Sequence, residues 1–508
     1  MDAKILAKFI ILVFTGVVLV IAIRTATFGP ATSSIKPCKK SDADHISVKG
    51  KPLERFKEAL RIKTVSWEYG KGSDDELRKF VNYVTEAYPL VHSSPHIITR
   101  EIVSNFSLLY TVKGTDPSLQ PYMLTAHMDV VPVASDKWDY DAFAATEEDG
   151  YIYARGTIDD KHQVMGILET LEYILAKDIK PRRSFYVTFG HDEEIEGHRG
   201  AREMAKILQD RGVKLSFIHD EGMAILDGLI PGAKKPIAYV GTSEKGWMTL
   251  KLSVNLTGGH SSMPNPESSI GIMSRAVSRL DANQQPNQYG KGDEKALFEE
   301  IANVLDLPLR IVMSNLWLFS PLVAYKMSGS PFTNALCRTT TAVTIFNAGI
   351  KENVIPPYAE AFVNHRIHPA QTTKEVIEHD IQVINDPRVK VEVMSAKEAT
   401  TSSPYDETSL GYQVVKTSLR QVWADKDVVV APGLLIGGTD SRWYLNLTDS
   451  VYRISPSYLY PEDTVRFHGV NERISVDNYE RVINFYFHMI KNADEWETTS
   501  THSHTSEL

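Results

Sequence analysis

Three apolar runs in this chain each stop at residues that bind protons or metals. That recurrence limits the fold more than any other feature. Tyr122-Met-Leu-Thr-Ala126 leads into His127-Met-Asp129, Ser184-Phe-Tyr-Val-Thr-Phe-Gly190 into His191-Asp-Glu-Glu194, and Lys214-Leu-Ser-Phe-Ile218 into His219-Asp-Glu-Gly222. Short apolar runs alternating with helix-spaced segments predict strands of an α/β sheet. In such sheets ligands gather at the carboxyl ends of the strands. Between the first two runs, Arg155-Gly-Thr-Ile-Asp-Asp-Lys161 opens a helix whose apolar face is Val164, Ile167, Leu168, Leu171, Ile174 and Leu175. The two acids at its start suit an N-cap and the positive end of the helix dipole.

The pattern changes after Gly246. Trp247 to Leu256 alternates, with Leu250, Leu252 and Val254 inward and Lys251 and Ser253 outward. Helical spacing over 270–280, strands over 338–346 and 359–367, a helix over 373–384 and a strand over 389–394 give the order of a ferredoxin-like α+β unit. A long insertion, about 283 to 337, interrupts it. From about 398 the α/β pattern returns, through Gly437-Gly-Thr-Asp440 and Phe467-His-Gly-Val-Asn471 to a last helix at 476–492. A chain of 508 residues is too long for one core. The expected layout is a catalytic domain over 48–245 and 398–495, an inserted domain over 246–397, and a polar, disordered tail over 496–508.

The N-terminus carries Lys4 and Lys8 before an apolar core from Phe9 to Ile23, then Arg24 and a small-residue segment. Residues 1–28 therefore read as a cleaved signal peptide or an uncleaved single-pass anchor, with 29–47 as a linker. Either way the body enters the secretory lumen. The sequons at Asn105, Asn255 and Asn446 agree with that compartment. The net charge of −9, with no basic run, gives nucleic-acid binding no electrostatic support. Two cysteines, Cys38 and Cys337, exclude a disulfide framework and a cysteine-based zinc site.

Carboxylate oxygens with imidazole nitrogens form a ligand set suited to zinc and related divalent ions. The candidates are His127, Asp159, Glu194, Asp220 and His468. With Asp159 bridging, one ion takes His127, Asp159 and Asp220, and the other takes Asp159, Glu194 and His468. Each keeps an open position, as hydrolytic sites require, and two such ions polarise a carbonyl and acidify a shared water. Asp129, on the same strand face as His127, reads as the carboxylate that orients that imidazole. Glu193 reads as the general base that passes a proton to the leaving amine. Asp160 and Glu221 read as cap or supporting acids beside ligands. His162, His191, His198, His219, His365, His368 and His379 read as structural.

Ala126-His-Met-Asp-Val-Val-Pro132, Arg155-Gly-Thr-Ile-Asp-Asp-Lys161, Gly190-His-Asp-Glu-Glu194, Asp220-Glu-Gly222, Gly259-His-Ser-Ser262, Asn353-Val-Ile-Pro356, Gly438-Thr-Asp-Ser441 and His468-Gly469 follow one another in an order that resembles the co-catalytic zinc amidohydrolase/peptidase family. That family includes aminoacylase, carnosinase, glutamate carboxypeptidase and yeast carboxypeptidase S, and the resemblance spans roughly Lys51 to Ala493. It implies a mixed-sheet α/β catalytic domain with an inserted ferredoxin-like lid that dimerises in some members. It also implies two Zn2+ per chain bridged by Asp159. His260 matches the lid His that stabilises an oxyanion, in dimeric members at the partner subunit's site. Arg366 matches the lid Arg that grips a substrate carboxylate, a task suited to its planar fork, and Asn353 is a helper. The loop Glu196-Gly-His-Arg199 departs from the pattern, with bulky polar residues where small ones are expected.

Ser118-Leu-Gln-Pro-Tyr122, Pro181-Arg-Arg-Ser-Phe185 and Arg366-Ile-His-Pro369 resemble the branch that acts on N-fatty-acyl amino acids. The expected activity is hydrolysis of N-acyl amino acids and the reverse condensation. A carboxypeptidase or dipeptidase is the second expectation, and a catalytically inactive anchored binding protein the third. In the insertion, Leu316-Trp-Leu-Phe-Ser-Pro-Leu322 reads either as a lipid-facing wall or as core.

Overall fold

The computed structural model describes residues 3–29, 37–39, 41, 44–68, 71–133 and 137–496. Much of the expected linker, and all of the expected tail beyond Trp496, lie outside the described residues.

The larger unit is built on an eight-stranded mixed sheet. Its spatial order is Val429–Leu435, Ile237–Glu244, Val451–Leu459, Ile218–Leu226, Tyr122–His127, Phe185–Gly190, Ser107–Val112 and Ile98–Val103. The strands Ile218–Leu226, Tyr122–His127 and Phe185–Gly190 run parallel at its centre. Tyr122 is stacked between Phe185 and Phe217, with ring centroids 5.0 and 4.9 Å away. These stacks level the strand starts, so His127 pairs with Gly190 at the far end. The helix Lys161–Ala176 packs on the last helix, Val476–Glu495, where Gly166 leaves room for Val482 and Tyr486.

One central strand departs from expectation. The run expected to end at Ile218 instead begins the strand there and carries it to Leu226. Asp220 and Glu221 therefore lie inside a strand and not beyond one. Along its pairing with Val451–Leu459, Asp220 faces Arg453 but Met223 faces Ile454. Glu221 and Gly222 are thus extra residues that bulge from the ladder. Gly222 permits the close approach, since a Cβ there would meet the Arg453 Cβ at 2.8 Å. The strands Ile237–Glu244 and Val451–Leu459 were not foreseen. The second contains Arg453 and Pro456, which mask its strand character. Arg453 is buried and paired with Glu244 at 3.1 Å.

The second unit is a four-stranded antiparallel sheet in the order Thr340–Ala348, Tyr358–Ile367, Gly246–Asn255, Lys390–Lys397. The helices Ser269–Ala282 and Thr373–Ile384 cover one face, burying Leu250, Leu252, Val254, Val363, Ile272 and Val376 in one cluster. Thr372 and Glu375 cap the second helix reciprocally. The insertion folds as four short α-helices, Asp293–Ile301, Leu307–Ser314, Leu316–Met327 and Pro331–Leu336. Its Cys337 is buried, and the Cys38 thiol donates to the Asp44 carbonyl, so the two are not bonded to each other. At the N-terminus a single helix, Ala3–Thr27, exposes apolar side chains along most of its length. Its stretch Lys4–Thr27, 24 residues and about 36 Å long, is long and apolar enough to cross a membrane.

Candidate metal centre

The centre assembles where the parallel strands end. His127 closes its strand, fully buried, and Asp159 precedes the helix Lys161–Ala176. Glu193 and Glu194 form a single 3-10 turn just beyond Phe185–Gly190. Glu221 projects from the bulge, and His468 comes from the loop before the last helix. His468 has a positive φ of 53°, and Gly469 follows it because a Cβ there would collide with the Val465 carbonyl.

Asp159 sits between the two imidazoles. Its Oδ1 lies 3.0 Å from His127 Nε2 and its Oδ2 lies 3.0 Å from His468 Nε2. Each imidazole nitrogen also faces a second carboxylate: Glu221 Oε1 lies 3.3 Å from His127 Nε2, and Glu194 Oε2 lies 3.4 Å from His468 Nε2. Asp159 thus links two imidazoles, each with a second acid within 3.4 Å, and ligand atoms of His127, Asp159 and Glu194 lie within 4.8 Å of one another, an arrangement able to hold metal ions.

Asp220, expected as a ligand, makes no hydrogen bond or ion pair with His127 or His468 among the described residues. Its Oδ2 accepts from Ser441 N at 2.7 Å, and its Oδ1 accepts from Glu221 N at 2.8 Å. The bulge sets the two acids apart: Asp220 stays in the ladder opposite Arg453, while the next side chain, Glu221, reaches His127. Sequence reasoning passed over Glu221 as a supporting acid. The Gly222 beside it was the available signal for a bulge. Asp160 stands at the N-cap position, as expected, yet its carboxylate accepts from His127 N and the Gln163 side chain and makes no cap bond. It also lies within 4.8 Å of ligand atoms of His127 and Glu221, but its two oxygens are already engaged.

Asp129 knits the centre together. Its Oδ1 lies 3.4 Å from His127 Nδ1 and accepts from Glu193 N at 3.1 Å. Its Oδ2 accepts from Glu194 N at 3.2 Å and from Ser66 Oγ at 2.8 Å. His127 Nδ1 is closer still to the Asp129 carbonyl oxygen, at 3.0 Å, so Asp129 orients the imidazole through its main chain and the turn that carries two further acids through its carboxylate. Arg155, noticed only as part of a motif, ties the distant loop in. It donates to Glu472 Oε2 at 2.7 Å and to the Gly469 carbonyl at 3.0 Å, and Glu472 Oε1 accepts from Ile158 N at 2.8 Å. Arg442, also unforeseen, donates to Glu193 Oε1 at 2.7 Å.

Acid outnumbers base here. Burial raises the Glu193 carboxyl to about 7 against the opposing Arg442 charge, and raises Glu221 to about 8 against His127. Burial, then the Asp159 charge, lifts Glu194 well above the usual range. Burial also opposes a charged His127, but Glu221, Asp129 and Asp159 outweigh it and hold the imidazole high. Glu194 Oε1 is buried without a hydrogen-bond partner among the described residues. A divalent cation would supply what the cluster lacks: positive charge for crowded acids and a partner for that oxygen.

The second-unit residues lie apart from this cluster. His260 is exposed, with Nδ1 2.8 Å from Ser262 Oγ, on a short strand pair next to Asn353, whose carbonyl accepts from Ser261 N. Arg366 is exposed near the end of Tyr358–Ile367. Among the described residues, His260, Asn353 and Arg366 make no hydrogen bond or ion pair with the cluster. Asn105, Asn255 and Asn446 are all exposed, as acceptors of glycans must be.

The model of the Peptidase family M20/M25/M40 matches residues 123–492. The chain is 49% identical over 456 residues to the N-fatty-acyl-amino acid synthase/hydrolase PM20D1 of Xenopus tropicalis, covering 90% of this chain and 88% of that protein. It is 39% identical over 491 residues to the probable carboxypeptidase S-like 2 of Dictyostelium discoideum, covering 95% and 93%. Its fold is similar to that of the M20 family metallo-carboxypeptidase Sso-CP2 from Sulfolobus solfataricus, with a TM-score of 0.63 and 17% identity over 88% of this chain and 99% of that one.

Proposed function

The chain belongs to the M20/M25/M40 peptidase family and is a metal-dependent hydrolase of amide bonds; from that premise we propose that it cleaves N-fatty-acyl amino acids to a fatty acid and an amino acid, and condenses the two when both are abundant. The observation that carries the reading is the Asp159 carboxylate, with one oxygen on each imidazole and a second acid behind each. The acyl specificity rests on the likeness to the amphibian synthase/hydrolase.

The donor set of oxygens and imidazole nitrogens suits two Zn2+. His127, Asp159 and Glu221 would hold one, and Asp159, Glu194 and His468 the other, with Asp220 bracing the strand behind them. Bound there, such ions polarise an amide carbonyl and lower the pKa of water. The chain's own residues supply the rest. Glu193, raised to about 7, is poised near neutrality to take a proton from water on its carboxylate and return it to the departing amine. Arg442 fixes one oxygen of that carboxylate and leaves the other for the proton. Asp129 keeps the Glu193 turn and the His127 ring in register. Arg366 grips the substrate carboxylate, His260 stabilises the oxyanion, and Asn353 assists. The separation of His260 from its own cluster favours a homodimer in which it serves the neighbouring subunit. The N-terminal helix directs the body into the secretory lumen, as a signal or an anchor.

Purified protein assayed for bound zinc, and for cleavage of a long-chain N-acyl phenylalanine beside a dipeptide, tests the proposal. About two zinc ions per chain with acyl cleavage is the expected result. Preference for the dipeptide moves the chain to the carboxypeptidase reading, and absence of both metal and turnover overturns both.

A further inference from the structure

The helix Leu316–Met327 is apolar on every side, yet only half of it is covered. Leu316, Val323 and Met327 face inward onto Leu336 and Cys337. On the other side Trp317, Leu318, Leu322 and Tyr325 are exposed, Tyr325 to 76%. A helix that is apolar all round belongs in a core or against lipid. Here one side has the core, and no described residue covers the other. Leu307 and Phe332 extend the exposed apolar surface from the flanking helices. No acidic residue occurs between Leu307 and Cys337.

The place of this surface supplies its partner. The N-terminal apolar helix ends on it. Arg310 donates to the Thr25 carbonyl at 2.9 Å, Arg24 to the Ser314 carbonyl at 3.0 Å, and Asn315 to Thr25 Oγ1 at 3.2 Å. Any bilayer that takes up the N-terminal helix therefore begins within a helical turn of Leu307–Ser314. That helix meets Leu316–Met327 at 114°, and the latter is only about 18 Å long. The pair is too bent and too short to cross a hydrocarbon core of about 30 Å. It suits the interface instead, where tryptophan and tyrosine rings are favoured and Lys326 can extend to the headgroups.

We propose that Leu307–Ser314 and Leu316–Met327 form a platform seated in the surface of the bilayer that the N-terminal helix enters. It holds the catalytic unit against lipid, where long-chain acyl substrates concentrate. The proposal rests on retention of that helix as an anchor.

The full chain in phosphatidylcholine nanodiscs, with Cys38→Ser, is labelled with a nitroxide at Leu322→Cys, Tyr325→Cys, Leu12→Cys or Ile350→Cys. Collisions with lipid-soluble dioxygen and with a water-soluble nickel chelate are then compared. Ile350, 90% exposed in the second unit, is the aqueous control, and Leu12 reports the anchor. Labels at 322 and 325 are expected to favour dioxygen, as at 12, while the label at 350 favours nickel. Labels at 322 and 325 that behave like 350 while 12 stays in lipid overturn the platform and leave the anchor. A label at 12 that also favours nickel overturns both. Labels at 322 and 325 shielded from both reagents indicate a protein cover, a second copy included, and overturn the proposal.

Discussion

The strand-end cluster and the polar residues of the second unit are expected to serve one reaction, but the fold holds them in different ways. In the cluster the backbone behind the ligands is fixed: Asp129 lies against His127 and accepts from the Glu193 and Glu194 N–H groups, and Arg155 with Glu472 pins the loop of His468, itself exposed, to the Asp159 loop. On the second unit His260 and Arg366 stand exposed. The difference teaches where preorganisation lies. On the proposed assignment, groups that hold charge in one place are braced by a buried network, and groups that would meet the substrate sit on a separate unit whose approach could follow binding.

The largest effect is expected within the cluster, at the pair Asp220 and Glu221. Glu221→Gln should lower bound metal to about one ion per chain by elemental analysis and cut turnover on the order of 10^3-fold, about 4 kcal/mol of barrier. Asp220→Asn should keep both ions and lower stability by roughly 1–3 kcal/mol in urea unfolding, through the altered bond to Ser441 N. The reverse pattern would show that the bulge does not decide the ligand.

That pair also marks where the sequence stops being legible. The mixed sheet, the parallel centre and the antiparallel second unit follow from period-two runs and helical spacing, because burial enforces both. His127, Asp159, Glu194 and His468 are brought together as their places at strand and loop ends suggest. Asp220 is not, because a two-residue slip against Val451–Leu459 leaves no mark in hydrophobic periodicity. The strand Val451–Leu459 itself escapes notice because a buried Arg453 and Pro456 interrupt its apolar run. Arg155, Glu472 and Arg442 escape for a related reason: each finds its partner across a long sequence separation, and spacing cannot report that.

Next in size is the base. Glu193→Gln should reduce turnover by about 10^2- to 10^4-fold while both ions remain. Loss of metal would place Glu193 among the ligands and dissolve the distinction between base and cluster. On the other side of the comparison, Arg366→Ala should raise KM for substrates with a free carboxylate roughly tenfold, about 1.4 kcal/mol, with a smaller change in kcat. An equal rise for a carboxyl-capped analogue would show that the second unit does not supply the grip.

A last effect, on stability and not on turnover, concerns a buried acid in the larger unit that has ordinary partners and no role in the cluster. Glu169 accepts from Tyr88 Oη at 2.9 Å and pairs with Arg55 at 3.2 Å, yet burial still raises its carboxyl to about 7 from the usual 4.5. A carboxyl raised in this way gives its full stability below the unfolded value. Between about 4.5 and 7 the folded chain holds a proton that the unfolded chain has lost, so stability falls as pH rises through that window. Glu169→Gln carries no such charge. Measured by urea midpoints, the variant should gain on the native protein between pH 5 and pH 8 by up to about 3 kcal/mol. A constant difference across that range would mean that Arg55 and Tyr88 already compensate the buried charge. The raised carboxyls at Glu193 and Glu221 would then have to be ascribed to the crowding of acids around Asp159, and not to burial alone.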